Sequence, residues 1–268
     1  MTNTQVNIHL HDDIGIIDVD SEITERLAIS VETALAKLFG YYKYESIILR
    51  ISSPGGLLGA LRHILEYIQN WRLKGYLVET EVTFCAASAA AVLLSFGEVG
   101  TRTAHRHTSV LYHHSRVGGT ASVITASGAN YLASLLASTD QNLLLRLITH
   151  VVKGSGGIRS FSAQGSARCE LLSAHSEDIS MALELPAGVK RPHWFKPILA
   201  MYRGISEKSN HDGYRQYLAK RMESDTPMDL REAYALCLID RVHGVPALQF
   251  LPETSLVHIQ SPEHLPSL

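Results

Sequence analysis

The chain has few cysteines, and their spacing argues against two common kinds of stabilising site. Cys85, Cys169 and Cys237 are the three cysteines, and they lie far apart without forming a CxxC pair. A disulfide framework or a zinc site needs cysteines at short, regular spacing. Neither is therefore predicted, and the composition fits a reducing compartment.

Long apolar runs and a secretory leader are also lacking. The longest apolar run, 86–96, is interrupted by Ser88 and Ser95 and is too short to span a bilayer. The amino terminus, MTNTQVNIHLHDD, has neither the basic nor the apolar part of a signal peptide. We therefore expect a cytoplasmic protein with no membrane partner.

Neither sign of charge dominates the chain. It carries 24 Lys and Arg against 26 Asp and Glu, for a net charge of −2. Without a basic excess, nucleic acid is not a predicted partner. Hydrophobic residues make up 46% of the 268 residues, which is enough for a globular protein to bury a sizeable core.

Apolar strand patterns and amphipathic helix patterns alternate through the first half of the chain. Strands are predicted at 8–19, 46–51, 76–82, 99–103 and 109–113, and helices at about 20–38 and 57–71. This alternation predicts an α/β domain with parallel strands. Functional groups gather at the carboxyl ends of such strands, and Gly56, Ser88 and His113 fall there.

The second half begins with a long helix, predicted at 121–152, that is rich in Ala and Leu and carries no charge before Asp140. We expect much of its uncharged surface to be covered. From 158 to about 210 the composition shifts towards Ser and Gly, which predicts an insertion or lid. Shorter helices are predicted at 177–183, 214–222 and 230–236.

Ser88 lies in the stretch FCAASAAAVLLSFG, after a predicted strand and at the start of a predicted helix. A helix start offers unpaired N–H groups and a positive dipole end. Those conditions suit a nucleophilic serine with an anion site beside it. From this stretch alone, a small-residue helix packed on a sheet remains the alternative.

Four residues are candidate partners of this serine. His113 would accept its proton, Asp225 would orient the imidazole, and the N–H groups of Gly56 and Ala89 would hold an oxyanion.

Each assignment has an alternative at this stage. His114 points to the opposite strand face and competes with His113. Asp229 competes with Asp225 for both catalysis and helix capping. The glycines of SSPGG can simply serve a turn, which is much the commoner role of an isolated PGG.

The clustered histidines do not predict a metal site. They are His105, His107, His113 and His114. In neighbouring strands they alternate or oppose faces, and no carboxylate is interleaved. Neither a metal nor a cofactor is expected.

The ordered motifs resemble the Clp protease proteolytic subunit family, ClpP. SSPGG, CAASAAA, GEVGTR, SVLYHH and SDTPMDLREAYALCLIDRV follow in the family's order. The separation of Ser88 and His113, 25 residues (113 − 88), agrees with the family spacing. The LIDRV ending aligns Asp225, rather than Asp229, with the family's acid.

The resemblance spans roughly 14–154 and 214–245 and implies a ClpP/crotonase fold, a superhelix of ββα units in a single domain. The implied parts are a head at about 1–120 and 214–245, a handle helix at about 121–153, an insertion at about 154–210 and an extended tail at about 246–268. The implied site is Ser88, His113 and Asp225 as the triad, Gly56 and Ala89 as the oxyanion hole, and Gly118 and Gly119 in the strand that binds a peptide.

The function implied by the resemblance is that of a serine endopeptidase. It would cleave peptides or unfolded proteins inside a homo-oligomeric ring, with stacked rings and an ATP-dependent unfoldase as candidate features of the assembly. The chain departs from the family pattern in having His113-His114-Ser115 for His-Gln-Pro and Ser224 for Arg. A crotonase-type acyl-CoA enzyme and a non-catalytic subunit of a mixed ring are the alternatives.

Overall fold

The computed structural model describes residues 6–11, 13–116, 125–185, 192–205 and 211–249. Its strands are β1 (Ile8–Leu10), β2 (Gly15–Val19), β3 (Ser46–Ser53), β4 (Leu77–Ala87), β5 (Thr103–His105), β6 (Ser109–Leu111) and β7 (Arg241–His243). Its α-helices are α1 (Glu25–Leu35), α2 (Leu58–Arg72), α3 (Ala89–Ser95), α4 (Ala126–Gly154), α5 (Ile158–Ala174), α6 (Ser176–Ala182), α7 (Phe195–Gly204), α8 (Asp212–Met222) and α9 (Leu230–Ala235). A π-helical turn at Ala36–Tyr41 continues α1, and a 3-10 turn follows β7 at Pro246–Leu248.

The strands of the described residues form one mixed sheet in the order β1-β2-β3-β4-β5-β7, with β6 paired to the end of β4. Only the β1–β2 pair is antiparallel. The predicted alternation of strands and helices is thereby confirmed. In β3, Ile47, Leu49 and Ile51 are fully buried while their neighbours are half-buried, so only one face of this strand is closed.

Helices α1 and α2 pack together beside this sheet. The buried face of α1 includes Leu27, Val31 and Leu35, which recur at the spacing of an amphipathic helix. Thr24 caps α1 by accepting from the Leu27 N–H at 3.2 Å. The helix predicted from about residue 20 therefore begins later, at Glu25, because any short oxygen-bearing side chain can cap a helix and only the chain path selects one.

Helix α4 is exposed over its first half and buried over its second. Tyr131 and Leu135 are 69% and 48% exposed, whereas Ile148 and Val151 are completely buried. The uncharged surface before Asp140 is thus uncovered in a single copy of the chain.

The segment expected to be an insertion or lid contributes α5, α6 and α7, which enter the core. Tyr202 of α7 donates to the Ala235 carbonyl at 2.8 Å, and Tyr214 of α8 donates to the Leu236 carbonyl at 2.5 Å. Both tyrosines are almost fully buried. The helices that carry these tyrosines therefore pack against the end of α9 and form part of the core.

A buried ionic cluster joins this helical layer to the sheet. Asp240 accepts from Arg102 Nε at 2.7 Å and from Arg168 Nη2 at 2.8 Å, and all three side chains are 0–2% exposed. It also accepts from the Gly100 N–H at 2.7 Å. Burial alone would raise the pKa of the Asp240 carboxyl, but the two guanidinium groups hold it well below its usual range.

We expect Asp240→Asn to lower the free energy of unfolding by about 3–5 kcal/mol, because it leaves two buried guanidinium groups without a counter-charge. Urea denaturation at neutral pH followed by circular dichroism measures this. The control is Asp178→Asn, the same substitution at a side chain that is 72% exposed, for which we expect a change within about 0.5 kcal/mol. Equal losses in the two variants would contradict a structural role for the cluster.

Candidate active site

Ser88 lies at the junction between β4 and α3, at the carboxyl end of a central strand. Its backbone has φ 56° and ψ −125°, a combination that non-glycine residues rarely adopt. Its N–H donates to the Leu111 carbonyl of β6 at 2.8 Å. Strained backbone of this kind concentrates at functional sites, and a sharp strand-to-helix turn presents a serine hydroxyl outward.

The SSPGG turn lies directly against Ser88. A Cβ on Gly55 would come within 2.5 Å of the Ala87 carbonyl oxygen and 2.6 Å of the Ser88 Cβ. The Gly55 carbonyl and the Leu57 N–H both bond to Ile23, each at 2.7 Å. The turn therefore needs glycine, and Ile23 fixes it from the other side.

Two backbone N–H groups beside Ser88 are without acceptors among the described residues. Ala89 is the first residue of α3, where an N–H has no intrahelical partner. The N–H of Gly56 makes no hydrogen bond in the described part of the chain either. Gly56 has φ +152°, and a Cβ there would lie 2.3 Å from the Ile23 carbonyl oxygen. Such paired donors are the components of an oxyanion hole.

His113 follows β6, whose Leu111 pairs with Ala87 just before Ser88. Its Nδ1 lies 2.7 Å from the His114 carbonyl oxygen. Because a carbonyl can only accept, Nδ1 carries the hydrogen in this contact. In the neutral ring Nε2 is then the basic nitrogen, which is the tautomer that a serine-activating histidine requires.

Asp225 lies in the turn before α9, next to the strand that leads to His113. The Met228 N–H donates to the Val110 carbonyl of β6 at 2.7 Å and fixes that proximity. The Asp225 carboxylate forms an ion pair with Arg116, and both side chains are more than half exposed. Its backbone has a φ of 47°. The structure therefore brings Asp225 near the segment of His113, with its carboxylate on Arg116.

The two competing residues have other partners. Asp229 caps α9 by accepting from the Arg231 N–H at 2.8 Å and also pairs with the Arg231 guanidinium. His114 donates through Nδ1 to the Asp140 carboxylate of α4 at 3.0 Å.

Gly118 and Gly119, assigned to the peptide-binding strand, lie outside the described residues, as does the tail beyond residue 249. Among the described residues, no cluster of three or more His, Cys, Asp or Glu side chains could hold a metal ion. His105 instead pairs with Glu81 at 2.7 Å and stacks on His243.

Sequence reasoning missed two charged residues at the site, Arg116 and Asp140. Arg116 holds Asp225, and Asp140 accepts from both the backbone and the side chain of Ser115. One signal was present, since Asp140 is the first charge on an otherwise uncharged stretch of α4. Its partner could not be read from the sequence, because α4 returns to the histidine segment only in the folded chain.

Comparison with known proteins identifies the family. The family model described as Clp protease matches residues 4–152, more than half of the chain. This chain therefore belongs to the Clp protease family, and the mixed sheet with its long helix α4 is consistent with the ClpP/crotonase fold. The matched range contains Ser88 and His113, whereas Asp225 lies beyond it.

Individual relatives carry the same family name. The chain is 38% identical over 103 residues to the ATP-dependent Clp protease proteolytic subunit 1 of Shouchella clausii, covering 38% of this chain and 52% of that protein. It is 35% identical over 104 residues to subunit 2 of Corynebacterium jeikeium (39% and 48%) and 35% identical over 119 residues to subunit 2 of Chlamydia trachomatis serovar D (44% and 57%). The chain thus spans about half the length of these curated relatives. In the part of the chain that the structure describes, no helix is long and apolar enough to cross a membrane.

We expect Gly55→Ala to lower the free energy of unfolding by about 1–3 kcal/mol more than Gly75→Ala, because only the first creates overlap with the Ser88 turn. The two glycines have nearly equal φ, 97° and 91°, but nothing lies within 4 Å of a Cβ at Gly75. The control therefore contains the cost of a left-handed backbone without the clash. Urea denaturation of both variants gives the difference, and equal losses would argue against the close approach.

Proposed function

We propose that this chain is a serine endopeptidase that cleaves peptides or unfolded proteins through an acyl-enzyme. The observation that carries the proposal is the strained turn at Ser88, flanked by the acceptor-free N–H groups of Gly56 and Ala89. Membership of the Clp protease family supports the same chemistry.

The proposed reaction has two halves. His113 Nε2 takes the proton of the Ser88 hydroxyl while Oγ forms a bond to the scissile carbonyl carbon, and the N–H groups of Gly56 and Ala89 hold the oxyanion. The imidazolium then gives its proton to the leaving amine as the C–N bond breaks. Water repeats the sequence on the ester, which restores the serine and releases the acid.

Asp225 is proposed as the acid that orients His113. For that role its carboxylate must leave Arg116 and reach the Nδ1 hydrogen of His113, which the His114 carbonyl accepts in this structure. Because the pair with Arg116 is exposed, it is weakly held and salt-sensitive. Release of Asp225 from Arg116 therefore costs little free energy.

The assembly is proposed to be a homo-oligomeric ring that encloses the site. The exposed Tyr131 and Leu135 on the uncharged half of α4 support contact with further copies of the chain. The relatives are named as subunits of an ATP-dependent protease, which supports an ATP-dependent unfoldase as partner. The strand with Gly118 and Gly119 is proposed to bind the substrate by β-addition.

We expect Ser88→Ala to lower kcat for a fluorogenic peptide by about 10³-fold or more, because the nucleophile is lost. A fluorophosphonate should label the wild-type protein at Ser88 and leave this variant unlabelled, as read by mass spectrometry of the digested protein.

The control is Ser134→Ala, which removes an exposed hydroxyl from α4 and should leave labelling unchanged. Light scattering on each sample gives the state of assembly. An assembled wild-type protein without label or turnover would contradict the proposal and favour a non-catalytic subunit, and stabilisation of that protein by acyl-CoA would favour the crotonase-type reaction.

We expect Arg116→Gln to accelerate fluorophosphonate labelling of Ser88 by about two- to fivefold, since it removes an exposed ion pair that competes for Asp225. High salt should accelerate the wild-type protein in the same direction, because it screens that pair. The double variant Arg116→Gln/Asp225→Asn is the control and should lose the gain. A slower Arg116→Gln variant would indicate that the pair with Asp225 supports the site.

A further inference from the structure

Asp140 of α4 binds the two residues that follow His113. Its carboxylate accepts from the Ser115 N–H at 3.0 Å, from the Ser115 hydroxyl at 2.5 Å, and contacts His114 Nδ1 at 3.0 Å. Asp140 is only 9% exposed. A carboxylate with this burial and this number of donors holds its partners far more rigidly than a surface pair does.

The Ser115 N–H belongs to the same peptide group as the His114 carbonyl. In a trans peptide the N–H and C=O point in opposite directions. The carbonyl side of this peptide faces His113 Nδ1 at 2.7 Å, while the N–H side faces Asp140 at 3.0 Å. One peptide group therefore connects the carboxylate to the imidazole.

We propose that Asp140 is a positioning residue for His113 and acts through the peptide between His114 and Ser115. This inference rests on the proposed function. The negative charge polarises the peptide, which makes the His114 carbonyl a stronger acceptor for the Nδ1 hydrogen. Nδ1 keeps that hydrogen throughout, Nε2 receives the serine proton, and Asp140 stays ionised.

The chain of contacts from Asp140 through the Ser115 peptide to His113, here called the relay, orients the imidazole. Asp225 does not orient it in this conformation. Asp225 is bound to Arg116 and is 55% exposed, whereas the peptide of Ser115 already contacts the imidazole on one side and a buried carboxylate on the other. The imidazole is therefore held in the required tautomer before Asp225 is released. The two carboxylates belong to different elements, Asp140 to α4 and Asp225 to the turn before α9.

The test compares two substitutions at Ser115, of which only one keeps the backbone N–H. Ser115→Ala removes the hydroxyl but keeps the N–H, while Ser115→Pro removes the N–H that forms the relay. Asp140→Asn removes the charge in the third variant.

We expect Asp140→Asn and Ser115→Pro each to lower kcat for a fluorogenic peptide by about 10- to 100-fold with KM changed less than about twofold. This is part of the roughly 10²- to 10⁴-fold that a positioned general base contributes. Ser115→Ala should stay within about twofold of the wild-type kcat. The double variant Asp140→Asn/Ser115→Pro should be no slower than the worse single variant, because both break the same link.

The matched control is Glu32→Gln. It neutralises a carboxylate of α1 that contacts His63 of α2 at 2.6 Å. It should leave kcat unchanged. The positioning role is overturned if Asp140→Asn behaves like this control, if Ser115→Ala and Ser115→Pro lose activity equally, or if only KM changes. Should Asp140→Asn not fold, the Ser115 pair decides the question. Absence of Ser88 labelling in the wild-type protein would instead overturn the proposed function, and the positioning role with it.

Discussion

Asp240 is the residue on which the rest of this structure depends. A buried carboxylate loses its hydration and is stable only if charges and N–H groups replace the lost water. Here Arg102, Arg168 and the Gly100 N–H do so. Arg102 also donates to the Ser95 carbonyl at the end of α3, so the same cluster anchors the helix that begins next to Ser88. Helix α5, the start of β5 and the end of α9 therefore have to meet in one arrangement.

The candidate active site differs from the buried cluster around Asp240, because some of its contacts are fixed and others are exposed and can exchange. The turn at Ser88 is fixed by Gly55, Gly56 and Ile23, through contacts that leave no room for a side chain. Of the two carboxylates near the histidine segment, Asp140 is buried and Asp225 is exposed. The turn at Ser88 is therefore rigid, whereas the ion pair that holds Asp225 is exposed and can exchange.

Helix α4 carries an exposed apolar surface and a contact with the histidine segment within one element. Its exposed first half carries Tyr131 and Leu135, and Asp140 begins the buried half and binds the segment after His113. In the proposed assembly, a copy that covered the first half would contact the same helix that binds the histidine segment through Asp140. A separate sensor loop is not required for such a connection.

Much of the fold and part of the site could be predicted from local sequence. The alternating apolar patterns predicted most of the strands and helices of the sheet layer, because burial of one face imposes a period on the chain. The sequence also placed Ser88 between a strand and a helix, and the glycines of SSPGG indicated a turn. The helices of 158–205 were not anticipated as core, because Arg168 and Tyr202 are polar residues and their burial depends on acceptors that lie far away in the chain.

The sequence by itself determined which residues could do chemistry and the order in which they occur: Gly56, Ser88, His113 and Asp225. Tertiary structure decided their partners. It placed Asp225 on Arg116, turned the Nδ1 hydrogen of His113 towards the His114 carbonyl, and brought Asp140 to the other side of that peptide. The physical reason is that residue type and turn propensity act within a few residues, whereas the partner of a charge or a hydrogen is chosen by which segments the buried core holds together.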